Sequence, residues 1–482
     1  MSSCYTTVTA SVVQIAAVGA LGNMLQQLKS REVDIFASSY FTTRPFAHGY
    51  ERDSHEEPIY PNKKNASIKG KFEISRAFDL VHQLYVVIDL PGIANVKTDT
   101  AVTPAADADM PYYTNGVGAA LINEVHISMG GHSIACLTGV LIFLYEELAG
   151  TPGKRADALL GKASTVRELK MQSTRARRLY VPMYFFFCST RGSLSNALNI
   201  IGAQFQRVHL DMVLNSLASV IENGAPNLKS ISNAGNGVTK TVIIDPISLE
   251  PMLSPVRQTG GDVSFDANAE ELRSATNCAR VTVDTHGITL AEEDRASFSS
   301  VSNMTLMDEV HILNRTDTNA LTANDQIDIT QFAKNLVFEI LVAARVTQDG
   351  GKNTGPLRFD GVSDTVTGEV YGPLGSIDVT ISGQQRFPAN VEAEIYNQTM
   401  PFLHHSLLPE HSGVYAIPFS FFPEDSSVPD SHANVSKLDS LVVTLKRPNY
   451  PAGQNPTTEA HVFALSYNLL VQQRGMKAKF FV

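Results

Sequence analysis

The sequence predicts an all-β protein made of two tandem units, and repeated strand patterns carry that prediction. The aromatic stretch Tyr180–Phe187 (YVPMYFFF) reappears in altered form as Val414–Phe422 (VYAIPFSFF), with a tyrosine, a proline and closely spaced aromatic residues. In each half an alternating apolar and polar segment follows at a similar distance, at Val208–Val213 and at Leu441–Leu445. Segments rich in aromatic and β-branched residues, too short for buried helices, indicate strands with one face in a core.

Two further segments extend the repeat towards the N-terminus of each half. Glu124–Ile134 is matched by Ile377–Phe387, each a strand pattern that turns at glycine. Before them, each half has a set of five spaced apolar residues: Phe78, Leu80, Leu84, Val86 and Ile88 in one, Phe332, Leu336, Phe338, Ile340 and Val342 in the other. Four segments in the same order indicate two copies of one unit of roughly 200 residues, far longer than the ~20–50 residues of a solenoid repeat.

Composition agrees with a folded protein of more than one domain. A chain of 482 residues exceeds the ~250–300 at which a single core stops growing. The net charge of −10 argues against a protein that coats nucleic acid along its length. Its four cysteines are far apart and lack metal-ligand spacing, which favours reduced thiols in a protein made in the cytosol; they are Cys4, Cys136, Cys188 and Cys278. No secretory signal and no membrane-spanning apolar run is visible.

Residues 1–30 are predicted to form an N-terminal arm that contains an amphipathic helix. Between residues 7 and 28, apolar side chains recur every three or four positions; they are Val8, Val12, Ile15, Val18, Leu21, Leu25 and Leu28. The helix could pack on its own domain, or it could meet a partner subunit or a membrane surface. Its uncharged polar face makes a pure lipid anchor the weaker interpretation, because such anchors favour lysine and arginine there.

The first unit is predicted to span residues 31–222, with a short helix at Leu141–Leu148. Within it, Gly150–Arg178 concentrates positive charge, with eight basic residues against Asp157 and Glu168. The basic residues are Lys154, Arg155, Lys162, Arg167, Lys170, Arg175, Arg177 and Arg178. This stretch is either a solvated loop beside acidic neighbours or a docking patch for phospholipid headgroups, an acidic protein or nucleic acid.

The second unit is predicted at residues 281–482, after a weakly patterned segment. Residues 223–280 are rich in glycine, proline, serine and asparagine and are interpreted as the connection between the units plus loops. Short strands with frequent turn signals and little helix indicate that both units are β-sandwiches.

A search for catalytic and binding motifs predicts no site residues. The phosphate loop GxxxxGK[ST], the nucleophile elbow GxSxG and the zinc motif HExxH are all missing from the sequence. One candidate metal cluster remains, at His404, His405, Glu410 and His411. His404 and His405 are adjacent, and adjacent strand residues point to opposite faces. These two histidines could therefore bind the same metal only from a bent loop. We therefore expect no catalytic, cofactor-binding or metal-ligating residues, no cofactor and no enzymatic activity.

Several motifs together resemble the major capsid proteins of nucleocytoplasmic large DNA viruses, the group of phycodnaviruses, iridoviruses and marseilleviruses. In the first half the resemblance is carried by Ile74–Arg76, Asp79–His82, Leu90-Pro91, Gly118–Ile122, Glu124-Val125, Gly130-Gly131, Leu179–Pro182 and Phe185–Cys188. In the second half it is carried by Gly413–Tyr415, Phe419, Pro423-Glu424, Asn434, Ser436 and Asp439. A phenylalanine, Phe186 or Phe187, stands where the family usually has tryptophan.

The resemblance implies a double jelly roll, two eight-stranded antiparallel jelly rolls in tandem. It also implies homotrimers with a pseudo-hexagonal outline that tile the icosahedral shell of a large double-stranded DNA virus. Implied partners are the chain itself, neighbouring capsomers and minor capsid proteins, with the internal viral membrane as a further candidate and no direct nucleic acid. The protein would then lie in the outer capsid shell of the virion after assembly in the host cytoplasm. The competing hypothesis is a jelly-roll carbohydrate- or metal-binding protein, for which only the His404–His411 loop offers a polar cluster.

Overall fold

The fold is taken from a computed structural model of the chain. It describes residues 48–53, 68–90, 92, 112–149, 157–173, 175–188, 196–215, 217–222, 227–232, 239–244, 257–259, 262–264, 280–300, 303–313, 324–349, 352–353, 356–363, 370–387, 390–424, 429–448, 457–473 and 475–480. The predicted N-terminal helix at residues 7–28 and most of the predicted loop at residues 97–111 lie outside the described residues. Among the helices that are described, none is long and apolar enough to span a bilayer.

Sixteen strands form the main sheets, and we number them in chain order. They are β1 His48–Asp53, β2 Ile68–Glu73, β3 Leu80–Leu90, β4 Ile122–Met129, β5 His132–Thr138, β6 Arg177–Pro182, β7 Val208–Leu214, β8 Arg280–Ile288, β9 Asn303–Ile312, β10 Asn324–Asp328, β11 Leu336–Asp349, β12 Ser376–Ile381, β13 Gln384–Gln385, β14 Val414–Pro418, β15 Leu441–Lys446 and β16 Thr457–Gln473.

Shorter elements connect or flank these strands. The α-helices are α1 Val117–Leu121, α2 Gly139–Leu148, α3 Asp157–Leu160, α4 Val166–Ser173, α5 Glu292–Ser300 and α6 Met400–His404. A π-helical turn, Ile395–Thr399, precedes α6, and single 3-10 turns lie at Leu217–Val220 and Ile329–Gln331. The short strands are Tyr112–Tyr113, Leu198–Asn199, Ile221–Glu222, Asn227–Ser232, Thr239–Ile244, Arg257–Thr259, Asp262–Ser264, Lys352–Asn353, Val362–Ser363, Val370–Tyr371, Ala433–Asn434 and Met476–Lys479.

The sheets repeat with the same strand order in both halves of the chain. In the first unit one sheet has the order β1-β8-β3-β6 and the other β2-β7-β4-β5. In the second unit the corresponding orders are β9-β16-β11-β14 and β10-β15-β12-β13. Each strand of the second unit thus occupies the place of the strand numbered eight lower, and all these pairings are antiparallel. The predicted duplication and double jelly roll are confirmed.

Strands with one buried face build the two sandwich cores. Buried and half-buried side chains alternate along β7 and along β15, as the sequence pattern predicts. Buried members of β15 include Leu441, Val443 and Leu445, which pack with Ile377 and Val379 of β12 in the core of the second unit. The predicted short helix is also confirmed as α2, whose first turn is capped by the Thr138 hydroxyl accepting from the backbone N–H of Leu141.

The aromatic stretch Tyr180–Phe187 departs from the predicted single alternating strand. Strand β6 ends at Pro182, and a tight turn follows in which the backbone N–H of Cys188 donates to the Phe185 carbonyl at 2.7 Å. All three phenylalanines from 185 to 187 are buried, whereas an alternating strand would bury one set. The turn lets both sets reach the core, with the Phe185 and Phe187 rings stacked at 5.7 Å between centroids.

The predicted boundary between the units needs a correction. The sequence pattern predicts that the second unit begins at residue 281, after a connection formed by residues 223–280. Strand β8, Arg280–Ile288, instead pairs with β3 from Arg280–Asp89 to Ile288–Leu80 and also with β1. Its hydrogen bonds therefore place it in the first unit, and the described chain between the units contains α5.

Candidate functional site

The two units are joined along a buried surface that we call the seam. Helix α2 of the first unit packs on β11, and β5 packs on β9 of the second unit. Strand β11 is buried on both faces: Ile340 and Val342 point into the core of the second unit, while Leu341 and Ala343 join the core of the first. This double burial explains the continuous apolar run in β11, which a strand with one solvated face would not need.

Phe143 of α2 occupies the centre of the seam. Its ring is fully buried and lies 5.6 Å from the Phe359 ring and 5.3 Å from the His411 ring, both of the second unit. Lys162 places its ammonium 4.3 Å from the centre of the same ring, a cation–π contact. An apolar anchor of one unit is thus enclosed by side chains of both.

The backbone beside this anchor approaches closely at Gly413. Its N–H donates to the Phe359 carbonyl at 2.7 Å, and its own carbonyl accepts from the N–H of Ala344 at 2.8 Å. A Cβ atom added at Gly413 would lie 2.1 Å from the Ala344 oxygen. Only glycine fits there without a backbone shift, which gives a physical reason for the glycine of the Gly413–Tyr415 motif.

A buried polar cluster lies next to Phe143. Lys162 donates to Glu147 at 2.7 Å, with 7% and 1% of the two side chains exposed. The second Glu147 oxygen accepts from the backbone N–H of Glu410 across the seam at 2.8 Å. Burial opposes ionisation of Glu147, but the charges of Lys162 and His411 outweigh burial and hold its pKa below the usual value. The predicted basic stretch therefore contributes Lys162 to the interior rather than to a docking surface.

A second set of hydrogen bonds holds the opposite end of the seam. The Asn199 amide donates to Gln472 of β16 at 3.1 Å. The N–H of Phe205 donates to the Gly475 carbonyl at 3.2 Å, and the N–H of Lys477 donates to the Gln206 side chain at 2.7 Å. The seam thus combines an apolar centre with polar contacts between the two jelly rolls.

The predicted histidine cluster does not converge on one point. His405 is buried between two carboxylates, with Nε2 2.7 Å from Glu339 and Nδ1 3.4 Å from Glu424. His411 instead bonds Asp360 through Nδ1 at 2.8 Å. Each histidine thus has its own carboxylate partners. Among the described residues no group of three or more His, Cys, Asp or Glu side chains is placed to hold a metal ion, so the metal-binding alternative gains no support.

These pairings change the ionisation of both histidines. Burial lowers the pKa of His405, but the charge and hydrogen bond of Glu339, followed by those of Glu424, outweigh burial and raise it to about 9. For His411, the Asp360 hydrogen bond and the Glu147 charge likewise overcome burial and raise the pKa. His405 is therefore cationic at neutral pH and acts as an internal counter-ion, while the pairing with Asp360 favours the cationic form of His411.

Most of the described basic stretch also has partners within the chain. Arg178 forms a two-point ion pair with Asp89, with distances of 2.5 and 3.1 Å. Arg177 is half-buried and donates to Gln172 at 2.6 Å. Arg167 and Arg175 are exposed. Arg167 lies on α4 with Met171, and Arg175 lies just after the helix. Lys154 and Arg155 are outside the described residues. The local positive charge is thus smaller at the surface than the sequence suggests.

A cleft of about 970 Å³ opens beside this stretch at the seam. Its walls include Arg175, Arg177 and Arg358 together with Asp360 and Glu410. Arg358 lies 3.5 Å from Asp360, so opposite charges already face each other. The mixed lining gives the cleft no single preference for an anion or a cation.

An exposed apolar surface lies where the sequence pattern predicts a half-buried strand. Strand β14 ends at Pro418, and Phe421 and Phe422, predicted as part of the strand, are exposed instead. Phe402 and Leu403 of α6 are exposed as well. The His404 ring lies 6.2 Å from the Phe421 ring and links the two segments. We call Phe402, Leu403, Phe421 and Phe422 the aromatic patch; alternation along β14 gave no signal for it.

Comparisons with family models identify both halves of the chain. A model described as major capsid protein N-terminus matches residues 50–247. A second, described as large eukaryotic DNA virus major capsid protein, matches residues 294–478. The two matches follow one another along the chain as the two jelly rolls do, and the second begins after β8.

Known relatives and solved structures agree with these matches. The major capsid protein of Phaeocystis pouchetii virus is 22% identical over 483 residues, covering 84% of this chain and 87% of the relative. The PBCV-1 virus capsid protein has a TM-score of 0.60 at 18% identity, covering 93% of this chain and all of that one. The Faustovirus major capsid protein has a TM-score of 0.55 at 12% identity, covering 96% and 98%. These structures share the fold of this chain.

Proposed function

Since the chain belongs to the family of major capsid proteins of large eukaryotic DNA viruses, we propose that it trimerises into pseudo-hexagonal capsomers that tile an icosahedral shell. Its structural role as a capsid protein follows from the family. The observation that supports the finer proposal is the repeat of one strand order in two units that pack against each other along the seam. Three copies then present six similar wedges around one axis, so one protein fills a hexagonal lattice.

The proposal includes the location, partners and chemistry of the chain. We infer that the protein assembles in the host cytoplasm into the outer shell of the virion and that it catalyses no reaction. We also infer that residues 223–280 are an insertion of the first jelly roll, because β8 pairs with β3 beyond them. On this division the first jelly roll ends near Ile288 and the second begins near Asn303.

Purified protein is expected to sediment at three times the chain mass of 52.3 kDa and to show hexagonal outlines in micrographs. The physical reason is that the two wedges of one chain close a ring only when three chains meet. Sedimentation equilibrium at micromolar concentration measures the mass. A folded monomer at that concentration, with intact circular dichroism, would count against the capsomer.

Two exposed arginines, Arg167 on α4 and Arg175 just after it, are the candidate contact with an anionic layer inside the shell. The first candidate for that layer is a phospholipid surface. Arg167→Glu with Arg175→Glu is expected to weaken binding to vesicles containing phosphatidylserine at least tenfold. Each basic residue near such a surface contributes about 1 kcal/mol, screened over ~8–10 Å at physiological salt. Vesicle co-sedimentation at low and high salt measures the change.

The matched control reverses two exposed lysines elsewhere, Lys69→Glu with Lys437→Glu. If both double variants lose binding equally, net charge rather than α4 is responsible and the contact is refuted. The same holds if neither variant loses binding. Arg177 and Arg178 are left unchanged because their hydrogen bonds stabilise the fold.

A further inference from the structure

The aromatic patch places four large apolar side chains together on the surface of the folded chain. The exposed fractions are 73% for Phe402, 61% for Leu403, 64% for Phe421 and 68% for Phe422. Since a large aromatic side chain covers about 150–250 Å², the four together expose roughly 400–650 Å². That matches the largest patch of a typical monomer and is at least half of the ~800 Å² that one partner buries in a standard interface.

The backbone of the patch at Phe421 and Phe422 is also fixed by hydrogen bonds within the chain. Asp430 accepts from the backbone N–H groups of Phe421 at 2.8 Å and of Phe422 at 3.2 Å. His404 Nδ1 lies 3.2 Å from the Phe421 carbonyl and donates to it, because a carbonyl oxygen only accepts. Docking on a pre-organised surface loses little conformational entropy. Rigid exposed aromatic residues are therefore suited to act as anchors of an interface.

We propose that the aromatic patch is the surface through which each copy of the chain contacts the next copy within the capsomer. This inference rests on the proposed function and names the residues of its main contact. Every copy in a shell carries the patch, and the largest apolar patch of a folded chain is often a functional interface. Whatever covers the patch must therefore be as abundant as the chain itself. A second copy of the chain is present in that one-to-one ratio. In a closed ring of three the contact is heterologous, so the patch meets a different surface of its neighbour.

Phe421→Ser with Phe422→Ser is expected to convert trimers to monomers at micromolar concentration, with at least 100-fold weaker association. Sedimentation equilibrium measures this, and the thermal transition of the monomer is expected to persist because both side chains are solvent-exposed. Phe205→Ser with Met304→Ser is the matched control, since these residues are 77% and 57% exposed outside the patch. The control is expected to remain trimeric.

Each outcome distinguishes this inference from the proposed function. A monomeric wild type refutes the capsomer itself, together with the contact. A trimeric wild type whose Phe421/Phe422 variant is also trimeric refutes the contact alone. Dissociation of the control to the same extent refutes it too, since exposure rather than the patch would then matter. If the Phe421/Phe422 variant loses its thermal transition, the double variant Phe402→Ser with Leu403→Ser replaces it. Sedimentation equilibrium of that variant then decides whether the patch forms the contact.

Discussion

Replacing Phe143 by alanine is expected to lower the free energy of unfolding by about 3–5 kcal/mol, the usual cost of truncating a buried phenylalanine. The ring is fully buried at the centre of the seam and touches Phe359, His411 and Lys162. Its loss leaves a cavity among Phe359, His411 and Lys162, whose hydrogen bonds with neighbouring residues oppose collapse of the site. One apolar contact between the jelly rolls is thereby removed, while the hydrogen bonds across the seam remain.

Calorimetry and denaturant titration measure this effect. The chain lacks tryptophan, so tyrosine fluorescence and circular dichroism follow unfolding. We expect the variant to show two separated transitions, because each unit retains its own hydrophobic core but loses its apolar anchor to the other. Phe143→Leu should retain most of the stability, and Phe205→Ala, at an exposed site, should change it by less than about 0.5 kcal/mol. An alanine variant within 1 kcal/mol of wild type would show that the seam is not held at Phe143.

The repeat could be predicted because the spacing of apolar residues in each strand reflects which of its faces are buried. Strands β7 and β15 alternate with period two, since one face is in a core and the other is not. Strand β11 has no alternation because both of its faces are buried, yet its apolar run still indicates a central strand. Local patterns therefore predicted both units and most of their strands.

The assignment of β8 to the first unit depends on contacts that no local pattern contains. It pairs with β3, which lies far before it in the chain, after a segment with little patterning of its own. Distance along the sequence favoured the second unit, and hydrogen bonding decided otherwise. Because the pairing register of a distant strand is fixed by the completed sheet, only the structure could reveal it.

The two copies of the aromatic motif show how tertiary context changes one pattern. Phe185–Phe187 turn inwards after β6 and are buried, while Phe421 and Phe422 follow β14 and are exposed. Both segments contain a tyrosine followed by a proline and then phenylalanines, so their sequences predict the same burial. The Asp430 carboxylate accepts hydrogen bonds from the backbone of Phe421 and Phe422 and holds the second copy in its outward conformation. A single aspartate nine residues after Phe421 is not a sequence pattern from which this conformation could be predicted.

The largest pH effect is expected from His405, which is cationic between Glu339 and Glu424 with 3% of its side chain exposed. Its pKa is raised to about 9 in the folded chain from about 6.5 in an unfolded one. The folded state therefore holds this proton more tightly. The stabilisation is fully present below pH ~6.5 and is lost as the pH rises through about 9. Its size is ~3 kcal/mol, at ~1.4 kcal/mol for each pKa unit.

His405→Gln removes the cation while keeping an amide that can donate to Glu339. At pH 6 the variant is expected to be at least ~3 kcal/mol less stable than wild type, because two buried carboxylates lose their counter-ion. Between pH 6.5 and 10 the difference should shrink, since wild-type His405 gives up its proton over that interval. Denaturant unfolding at each pH measures both curves, with His432→Gln at an exposed site as the control. A difference that stays constant over this range would mean that His405 is neutral in the folded protein, and the Glu339–His405–Glu424 charge arrangement would then be excluded.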